Sequence, residues 1–425
     1  MKEFFQLPDP AGAAAAGKVN AAQVRAQNER LLLNLVWRER NISRAELARR
    51  TELSRSTVSA IVADLMDTGL IGFRGAGESL GGRRPVMLGF EDDALGVVGV
   101  EMGSSHVGVV VMNLRGEPKS WRSRAHDVRD DPDGTLALMV ELIREGLAEA
   151  GLAPERLAGV GVGVPSPVDP ARPEVLSGLV LPKWVGYDIP ARLEEAFGRR
   201  VVVDNDANLG ALAELWWGAG TKVRDLAFVK VGTGIGCGHI IRGEIYRGAS
   251  GVAGEIGHVV VDPQGPACMC GLNGCLATLV GARALAERAR AGIASGRTPT
   301  GLDAGDVSVA RIVAAAEGGD ALARELIEEA GRHLGIAIAG LVNLTNPATV
   351  VLGGGLVRAG EALLAPLRAT LEKRTLWLAL DDTEVVVSEL GEREVAIGAA
   401  TCVLEAALAD PSLFPRLEGA QAATG

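Results

Sequence analysis

The chain has 425 residues, of which 48% are hydrophobic, and it carries a formal net charge of −10. This length and apolar content predict two or three hydrophobic cores rather than one small domain. The acidic balance excludes a protein that coats nucleic acid along its whole length. No segment reaches the roughly 18–20 apolar residues that span a bilayer, and the start lacks a secretory signal pattern, so we expect a cytoplasmic protein without membrane insertion.

The charge is divided unevenly between a head and a body. Residues 1–90 hold 13 Lys and Arg and 9 Asp and Glu, a net charge of +4, which leaves −14 for residues 91–425. This division predicts that contact with nucleic acid is confined to the head. Residues 1–20 are rich in alanine and show no periodic pattern, so we interpret them as a flexible tail.

Residues 21–90 have the pattern of a winged helix-turn-helix DNA-binding domain. Ser43 with Glu46 is predicted to open one short helix and Ser54 to cap the next. The segment "LIGFRGAGESLGGRRPVML" then supplies two extended runs around a Gly-rich tip, which would form the wing. The expected DNA contacts lie at the start of the second helix and on the wing: Ser54, Arg55, Ser56, Thr57, Ser59, Arg74, Arg83 and Arg84. A three-helix structural or dimerisation domain is the alternative, and the basic wing argues against it.

From residue 95 onward the sequence alternates strand and helix patterns. The segment "LGVVGVEMGSSHVGVVVMNLRGE" contains two apolar runs around a Gly-Ser turn, and "RDLAFVKVGTGIGCGHIIRGEI" repeats this arrangement about 130 residues later. Each is followed by helical sequence and a further buried-strand pattern. The duplication predicts two related α/β lobes with a ligand cleft between them.

Three kinds of motif in the body could act on a ligand. The turns "EMGSS" and "GTGIG" could present backbone N–H groups to phosphate oxygens, although such turns are most often only turns. In "DNDAN", Asn205 could bind a hydroxyl and Asp206 accept its proton, or the cluster could simply cap a helix. In "GEIGH", Glu255 and His258 stand one helical turn apart, a pattern that an exposed Glu and a packed His also explain.

Three of the five cysteines fall within eight positions, ten residues after a histidine. His258, Cys268, Cys270 and Cys275 form a His/Cys₃ set that matches tetrahedral zinc. Incidental clustering of buried cysteines is the alternative. The odd cysteine count and the clustering fit a reducing compartment. Four protein ligands leave no open coordination position, so such a zinc would be structural.

Taken together, these segments resemble the ROK family of repressors, open reading frames and sugar kinases, and in particular its winged-helix transcriptional regulators. The resemblance spans about residues 25–405. It rests on the order of these motifs: "SRSTVSAIVADLMDTGLI", "GGRRP", "GVGVPSPVD", "DNDANLGALAELWWGAG", "GTGIG", "GEIGH", "CMCGLNGC" and "LVNLTNPATVVLGGGL". It implies a mainly α-helical winged helix-turn-helix followed by a two-lobed α/β fold of the actin-like, ribonuclease-H-like ATPase type.

The resemblance also implies domain boundaries and site residues. The DNA-binding domain would be 21–90, the first lobe 91–203 plus about 392–410, and the second lobe 204–391, with the zinc loop and a dimerisation surface. Sugar hydroxyls would contact Asn205, Asp206, Glu255 and His258, with Asp206 at the position of the kinases' catalytic base. The zinc ligands would be His258, Cys268, Cys270 and Cys275.

Two departures from the family pattern change these expectations. The kinases have Asp-x-Gly-Gly-Thr at the first phosphate loop, where this chain has Glu101, Ser104 and Ser105. The longer carboxylate and the extra Cβ should impair placement of ATP and magnesium, so we expect no catalytic residue. The vestigial phosphate loops would comprise Gly103, Ser104, Ser105, Gly232, Thr233 and Gly234. Ala277 stands where family members often have a sugar-binding Glu, so the sugar's identity does not carry over.

The sequence thus predicts a transcriptional repressor of carbohydrate-metabolism genes. A sugar or sugar phosphate in the cleft would control its affinity for a palindromic operator, and the protein would be a homodimer or a dimer of dimers. One alternative is an active ATP-dependent ROK sugar kinase that carries a DNA-binding head, with Asp206 as its catalytic base. The other is a zinc-stabilised interaction module, which would show no sugar-induced shift in melting temperature.

Overall fold

The computed structural model of the chain describes residues 20–77, 84–296 and 298–416, with the side chain of residue 380 excepted. The predicted tail therefore lies outside the described residues apart from Asn20. Asn20 caps the first helix, where its side chain accepts a hydrogen bond from the N–H of Gln23. Arg83, a predicted DNA contact in the wing tip, also lies outside the described residues.

The head is a winged helix-turn-helix. Its elements are α1 (Ala21–Glu39), β1 (Ile42–Ser43), α2 (Arg44–Thr51), α3 (Arg55–Asp67), β2 (Ile71–Ala76) and β3 (Val86–Phe90). Ser43 accepts a hydrogen bond from the N–H of Glu46, and Ser54 accepts one from the N–H of Thr57, so both predicted caps form. The antiparallel pair β2 and β3 makes the wing, and β1 completes a three-stranded sheet.

The first lobe is built on a five-stranded sheet. Its elements are β4 (Gly96–Met102), β5 (His106–Asn113), β6 (Pro118–Ala125), α4 (Pro132–Glu149), β7 (Leu157–Val164), α5 (Ile189–Phe197) and β8 (Val201–Asn205). The strand order is β6-β5-β4-β7-β8, in which β6, β5 and β4 are antiparallel neighbours and β4, β7 and β8 run parallel. The central strands β4 and β7 are buried along their whole length, which explains their near-continuous apolar sequence.

The second lobe repeats this sheet topology. After the connecting helix α6 (Asp206–Trp217), its elements are β9 (Leu226–Val231), β10 (Ile235–Ile241), β11 (Glu244–Ile245), α7 (Leu276–Val280), α8 (Ala282–Ser295), α9 (Val309–Glu317), α10 (Ala321–Thr345), β12 (Thr349–Gly353), α11 (Glu361–Arg374), α12 (Trp377–Asp381) and β13 (Glu384–Val387). The strand order is β11-β10-β9-β12-β13, again with two antiparallel and two parallel pairings. The two lobes are therefore related in topology.

Two helices lie between the two sheets. Helix α13 (Glu394–Ala409) packs on β4 and β7 of the first lobe, and α6 packs on β9 and β10 of the second. The helices also pack on each other, and glycine permits the close approach. A Cβ at Gly99 would lie 1.8 Å from the carbonyl oxygen of Ala396, and one at Gly398 would lie 1.8 Å from that of Leu209.

The core of the head is continuous with that of the body. Leu33 and Val36 of α1 belong to the same buried cluster as Leu404 and Leu408 of α13. The side-chain amide of Asn34 also donates a 2.8 Å hydrogen bond to the carbonyl of Leu408. The head is thus packed directly on the body. Among the described residues no helix combines the length and apolarity needed to cross a membrane.

Candidate functional site

The Gly-rich loops of the two lobes meet at one cavity. It has a volume of about 490 Å³, and its lining includes five of the six predicted phosphate-loop residues: Gly103, Ser104, Ser105, Gly232 and Thr233. Gly234 lies at the tip of the second loop, where its carbonyl accepts the N–H of Gly232. A larger, more open groove of about 1100 Å³ lies where the head meets the first lobe. We place the candidate site at the smaller cavity because both Gly-rich loops line it. The predicted sugar contacts Asn205, Asp206, Glu255 and His258 are not among its lining residues, but Asp206 is hydrogen-bonded to Lys230, which is.

Asn205 and Asp206 lie at the junction of β8 and α6. The side-chain oxygen of Asn205 accepts the N–H groups of Ala207 and Asn208, which makes it the cap of α6. Its amide donates to Asp206 at 3.2 Å, and the Oδ1 atom of Asp206 accepts the N–H of Ala207 at 2.8 Å. Asn205 therefore does cap this helix, and the other carboxylate oxygen of Asp206, Oδ2, accepts a hydrogen bond from Lys230 of the second lobe.

His258 ends a 3₁₀ turn of the second lobe that covers Ile256–His258, and Glu255 directly precedes this turn. The Oε2 atom of Glu255 is 3.9 Å from the Nε2 atom of His258. Burial raises the pKa of Glu255, the His258 imidazole lowers it, and the Asp206 carboxylate raises it further.

Lys230 is the residue of this site that the sequence reasoning missed. It lies on β9 and donates hydrogen bonds from its Nζ atom to Glu101 at 2.8 Å and to Asp206 at 2.9 Å. Burial opposes ionisation of Glu101, but the Lys230 ammonium and the His106 imidazole outweigh it and lower the pKa of Glu101 to about 2. A lysine inside the apolar run "LAFVKVG", two residues before a Gly-rich loop, was the available signal.

Glu394, the first residue of α13, also lines the cavity. Burial raises its pKa to about 8 despite the nearby Lys230 ammonium. This carboxyl is therefore largely protonated in the folded chain at neutral pH, whereas in the unfolded chain it ionises near its ordinary pKa of 4.5. Unfolding releases its proton between these two pKa values, so its contribution to stability falls as pH rises from about 4.5 to about 8.

We predict that Glu394→Gln flattens this pH dependence. The amide resembles the neutral acid, so the variant should keep the low-pH stability and should not lose it as pH rises. The loss in the unsubstituted chain is a few kcal/mol at most, because one pKa unit corresponds to about 1.4 kcal/mol. Urea unfolding of both chains from about pH 5 to about pH 8 measures the difference in slope. Glu392→Gln, at an exposed neighbour, is the control and should parallel the unsubstituted chain. Equal slopes for Glu394→Gln and the unsubstituted chain would contradict the assignment.

The His/Cys₃ set forms a compact cluster that could hold a metal ion. The four ligand atoms lie within 4.8 Å of one another, and the Sγ atoms of Cys270 and Cys275 are 3.6 Å apart. Two thiolates on a tetrahedral zinc with bonds of about 2.3 Å stand roughly 3.8 Å apart, so the spacing fits. The Sγ atom of Cys268 is 3.4 Å from the Nδ1 atom of His258. The imidazole therefore faces the cluster with one nitrogen and Glu255 with the other.

The thiols of the cluster differ in acidity. The backbone N–H of Leu272 lowers the pKa of Cys270 to about 7, which favours the thiolate that binds metals. Burial raises the pKa of Cys275 to about 12. A metal ion would displace the proton of such a thiol on binding.

Most, but not all, of the predicted DNA-contact residues that the structure describes are exposed. Ser54, Arg55, Ser56 and Ser59 are exposed at the start of α3, and Thr57 is half-buried beside them. Arg84 is exposed at the base of the wing. Arg74, by contrast, pairs with Glu91 at 2.8 Å and donates to the carbonyl of Phe90, so it is anchored at the foot of the wing.

A contact between two tryptophan rings links the head to the body. The rings of Trp37 in α1 and Trp216 near the end of α6 lie 5.8 Å apart, centroid to centroid. The Arg115 guanidinium stacks over the Trp37 ring at 4.8 Å, and the Trp37 indole N–H donates to the carbonyl of Leu114 at 2.9 Å. Helix α6 thus starts in the cleft at Asp206 and ends against the DNA-binding head.

Comparison with known proteins identifies both parts of the chain. The ROK family model matches residues 97–406, and a winged helix-turn-helix DNA-binding model matches residues 25–71. The xylose repressor of Caldicellulosiruptor bescii is 32% identical over 387 residues, which cover 90% of this chain and 97% of that protein.

Solved structures agree with this match. A ROK family transcriptional regulator, a homologue of the E. coli MLC protein, superposes with a TM-score of 0.77 at 28% identity and covers 92% of this chain and 98% of its own. A ROK family glucokinase from Streptomyces griseus, solved with glucose and AMPPNP, has a TM-score of 0.62 at 29% identity and covers 72% of this chain and 98% of its own. The predicted fold class is confirmed, and the chain belongs to the ROK family, with the N-terminal winged helix-turn-helix of its transcriptional regulators.

Proposed function

We propose that this chain is a transcriptional repressor of carbohydrate-metabolism genes. The head binds operator DNA through the start of α3 and the wing. A sugar held by Asn205, Asp206, Glu255 and His258 changes the affinity of the head for DNA. Relatives named as xylose repressors support this assignment, and they make xylose the first sugar to test.

One observation carries the proposal: helix α6 runs from the cleft to the head. Helix α6 has 12 residues and therefore spans about 18 Å. Its first residue, Asp206, is a proposed sugar contact, and Trp216 near its far end contacts Trp37 of α1. A sugar that binds one arrangement of the lobes more tightly shifts the population toward it, and α6 transmits the change to the head.

The proposed assembly is a homodimer or a dimer of dimers. A symmetric dimer presents two copies of α3 to DNA, so the operator is a palindrome with half-sites about one helical turn apart. The sugar changes operator affinity by changing how the two heads are spaced.

DNA from the region upstream of the gene that encodes this chain tests the proposed function directly. Binding is measured at one fixed salt concentration, since phosphate contacts make affinity salt-dependent, with and without a panel of sugars and sugar phosphates. A specific complex that one sugar dissociates or strengthens supports the proposal and names the effector. Sugar-dependent ATP turnover without any specific DNA complex would favour the kinase alternative instead.

We also propose that the His/Cys₃ cluster holds a structural zinc ion. His258, Cys268, Cys270 and Cys275 would be its four ligands, which leaves no position for a substrate. Zinc at this site would clamp the cysteine loop. Through His258 it would also fix the position of Glu255, which lies 3.9 Å from the outer nitrogen of that ring.

We predict that Cys270→Ser lowers both the zinc content and the melting temperature, because metal binding is coupled to folding. Elemental analysis of the purified chain and a thermal unfolding scan measure the two effects. Cys402→Ser is the matched control, since Cys402 lies on α13 and is not a member of the cluster. Unchanged zinc in Cys270→Ser, or an equal zinc loss in Cys402→Ser, would refute this site.

A further inference from the structure

Lys230 is the centre of a buried ionic triad, in which its ammonium pairs with two carboxylates across the cleft. The lysine comes from β9 of the second lobe, Glu101 from β4 of the first, and Asp206 from the junction of β8 and α6. The side chains of Lys230, Glu101 and Asp206 are only 16%, 6% and 14% exposed. The ammonium lies within 2.9 Å of both carboxylates, so it bridges them directly.

The ammonium is the counter-ion that these two carboxylates require. Burying a carboxylate away from water is costly unless a cation or several hydrogen-bond donors compensate it. His106 approaches the other carboxylate oxygen of Glu101, Oε2, at 3.6 Å, but it is charged only when protonated. Lys230 therefore supplies a permanent positive charge in direct contact with both carboxylates.

The bridge lies between the two Gly-rich loops. Glu101 is the last residue but one of β4, next to the loop of Gly103–Ser105, and Lys230 is the last but one of β9, next to the loop of Gly232–Gly234. Both Glu101 and Lys230 line the cavity between these loops. Carboxylate oxygens are the ligands that Mg²⁺ and Mn²⁺ prefer, and here an ammonium already occupies the space between them.

We propose that Lys230 is the resident cation of the cleft, which excludes a divalent metal ion from Glu101 and Asp206 and positions Asp206 as a hydrogen-bond acceptor for a sugar hydroxyl. Without a divalent ion between the loops, a nucleotide's phosphates lose the cation that phosphoryl transfer requires. The sugar is then bound and released unchanged, as a signal rather than a substrate. The inference rests on the proposed function only in treating Asp206 as a sugar contact.

Removal of the lysine should convert the cleft into a metal site. We expect Lys230→Ala to bind Mn²⁺, used alone as the probe, with a Kd at least roughly tenfold lower than the unsubstituted chain, because the repulsion of the ammonium is gone. Mn²⁺ should then also raise the melting temperature of this variant and leave that of the unsubstituted chain unchanged. Calorimetry and thermal unfolding scans measure the two effects.

Two further variants localise the new site. Lys230→Ala combined with Glu101→Gln should lose the Mn²⁺ response, because one of the two carboxylates is gone. Lys119→Ala is the matched control: Lys119 also bridges two carboxylates, Asp93 at 2.9 Å and Glu117 at 3.3 Å, but on the surface. It should gain no Mn²⁺ affinity. The His/Cys₃ cluster is the same in every variant, so metal bound there cancels in the comparison.

Lys230→Ala leaves two buried carboxylates unpaired and could prevent folding, so Lys230→Gln, whose amide still donates hydrogen bonds, is the second variant. Equal Mn²⁺ affinity in the unsubstituted chain and a folded Lys230 variant overturns the inference, as does an equal gain in Lys119→Ala. Mn²⁺ binding by the unsubstituted chain that Glu101→Gln abolishes overturns it without any lysine variant. Operator binding is measured separately, so failure of the regulator assignment remains distinguishable from failure here.

Discussion

Arg55→Ala is expected to lower operator affinity by roughly 30-fold to 20,000-fold and to leave sugar affinity unchanged. Arg55 is the first residue of α3 and is exposed, so it is placed to reach a base edge in the major groove. Each good arginine contact to a base is worth about 1–3 kcal/mol, and a dimer on a palindrome makes it twice. Fluorescence anisotropy with labelled operator at fixed salt measures the loss.

The control for this prediction removes an arginine from the body. Arg283 is exposed on α8 and pairs with Glu287, so Arg283→Ala changes the net charge equally without touching the head. It should bind the operator like the unsubstituted chain. Retained operator affinity in Arg55→Ala would contradict the placement of α3 in the groove. An equal loss in both variants would indicate a general effect of charge instead.

Local sequence rules predicted the head well. The hydroxyls of Ser43 and Ser54 cap α2 and α3, because each is followed at the third position by an N–H that needs an acceptor. Gly69, two residues after the end of α3, has a positive φ, a backbone conformation that favours glycine where a helix ends. The presence of two related lobes could also be predicted, because each strand-turn-strand pattern is formed by residues that are neighbours in the sequence.

Contacts between distant residues could not be predicted in the same way. Lys230 and Glu101 are 129 positions apart, and their ion pair exists only because the two sheets place the ends of β4 and β9 together. The pairing of Arg74 with Glu91 depends on the register of β2 and β3 in the wing. The contact of Trp37 with Trp216 depends on how the head docks on the body. None of these has a periodicity or spacing that a single sequence reveals.

Asp206→Asn is expected to weaken sugar binding by roughly tenfold to 150-fold, because a net hydrogen bond to a charged group contributes about 1.5–3 kcal/mol. Asparagine keeps an oxygen that can accept the N–H of Ala207, and Glu101 remains as a partner for Lys230. The helix start should therefore survive, and operator affinity without sugar should change little. Calorimetry with the effector sugar gives the affinity, and anisotropy with labelled operator gives the response.

The sugar concentration for a half-maximal change in operator binding should shift upward by the same factor as the sugar Kd, because the response follows occupancy of the sugar site and the coupling to the head is unchanged. This holds whether the sugar releases DNA or strengthens its binding. Asp188→Asn is the matched control: Asp188 also stands at a helix start, where it caps α5 rather than α6. An unshifted response in Asp206→Asn would mean that the effector does not contact this carboxylate, and that α6 receives its signal from some other part of the cleft.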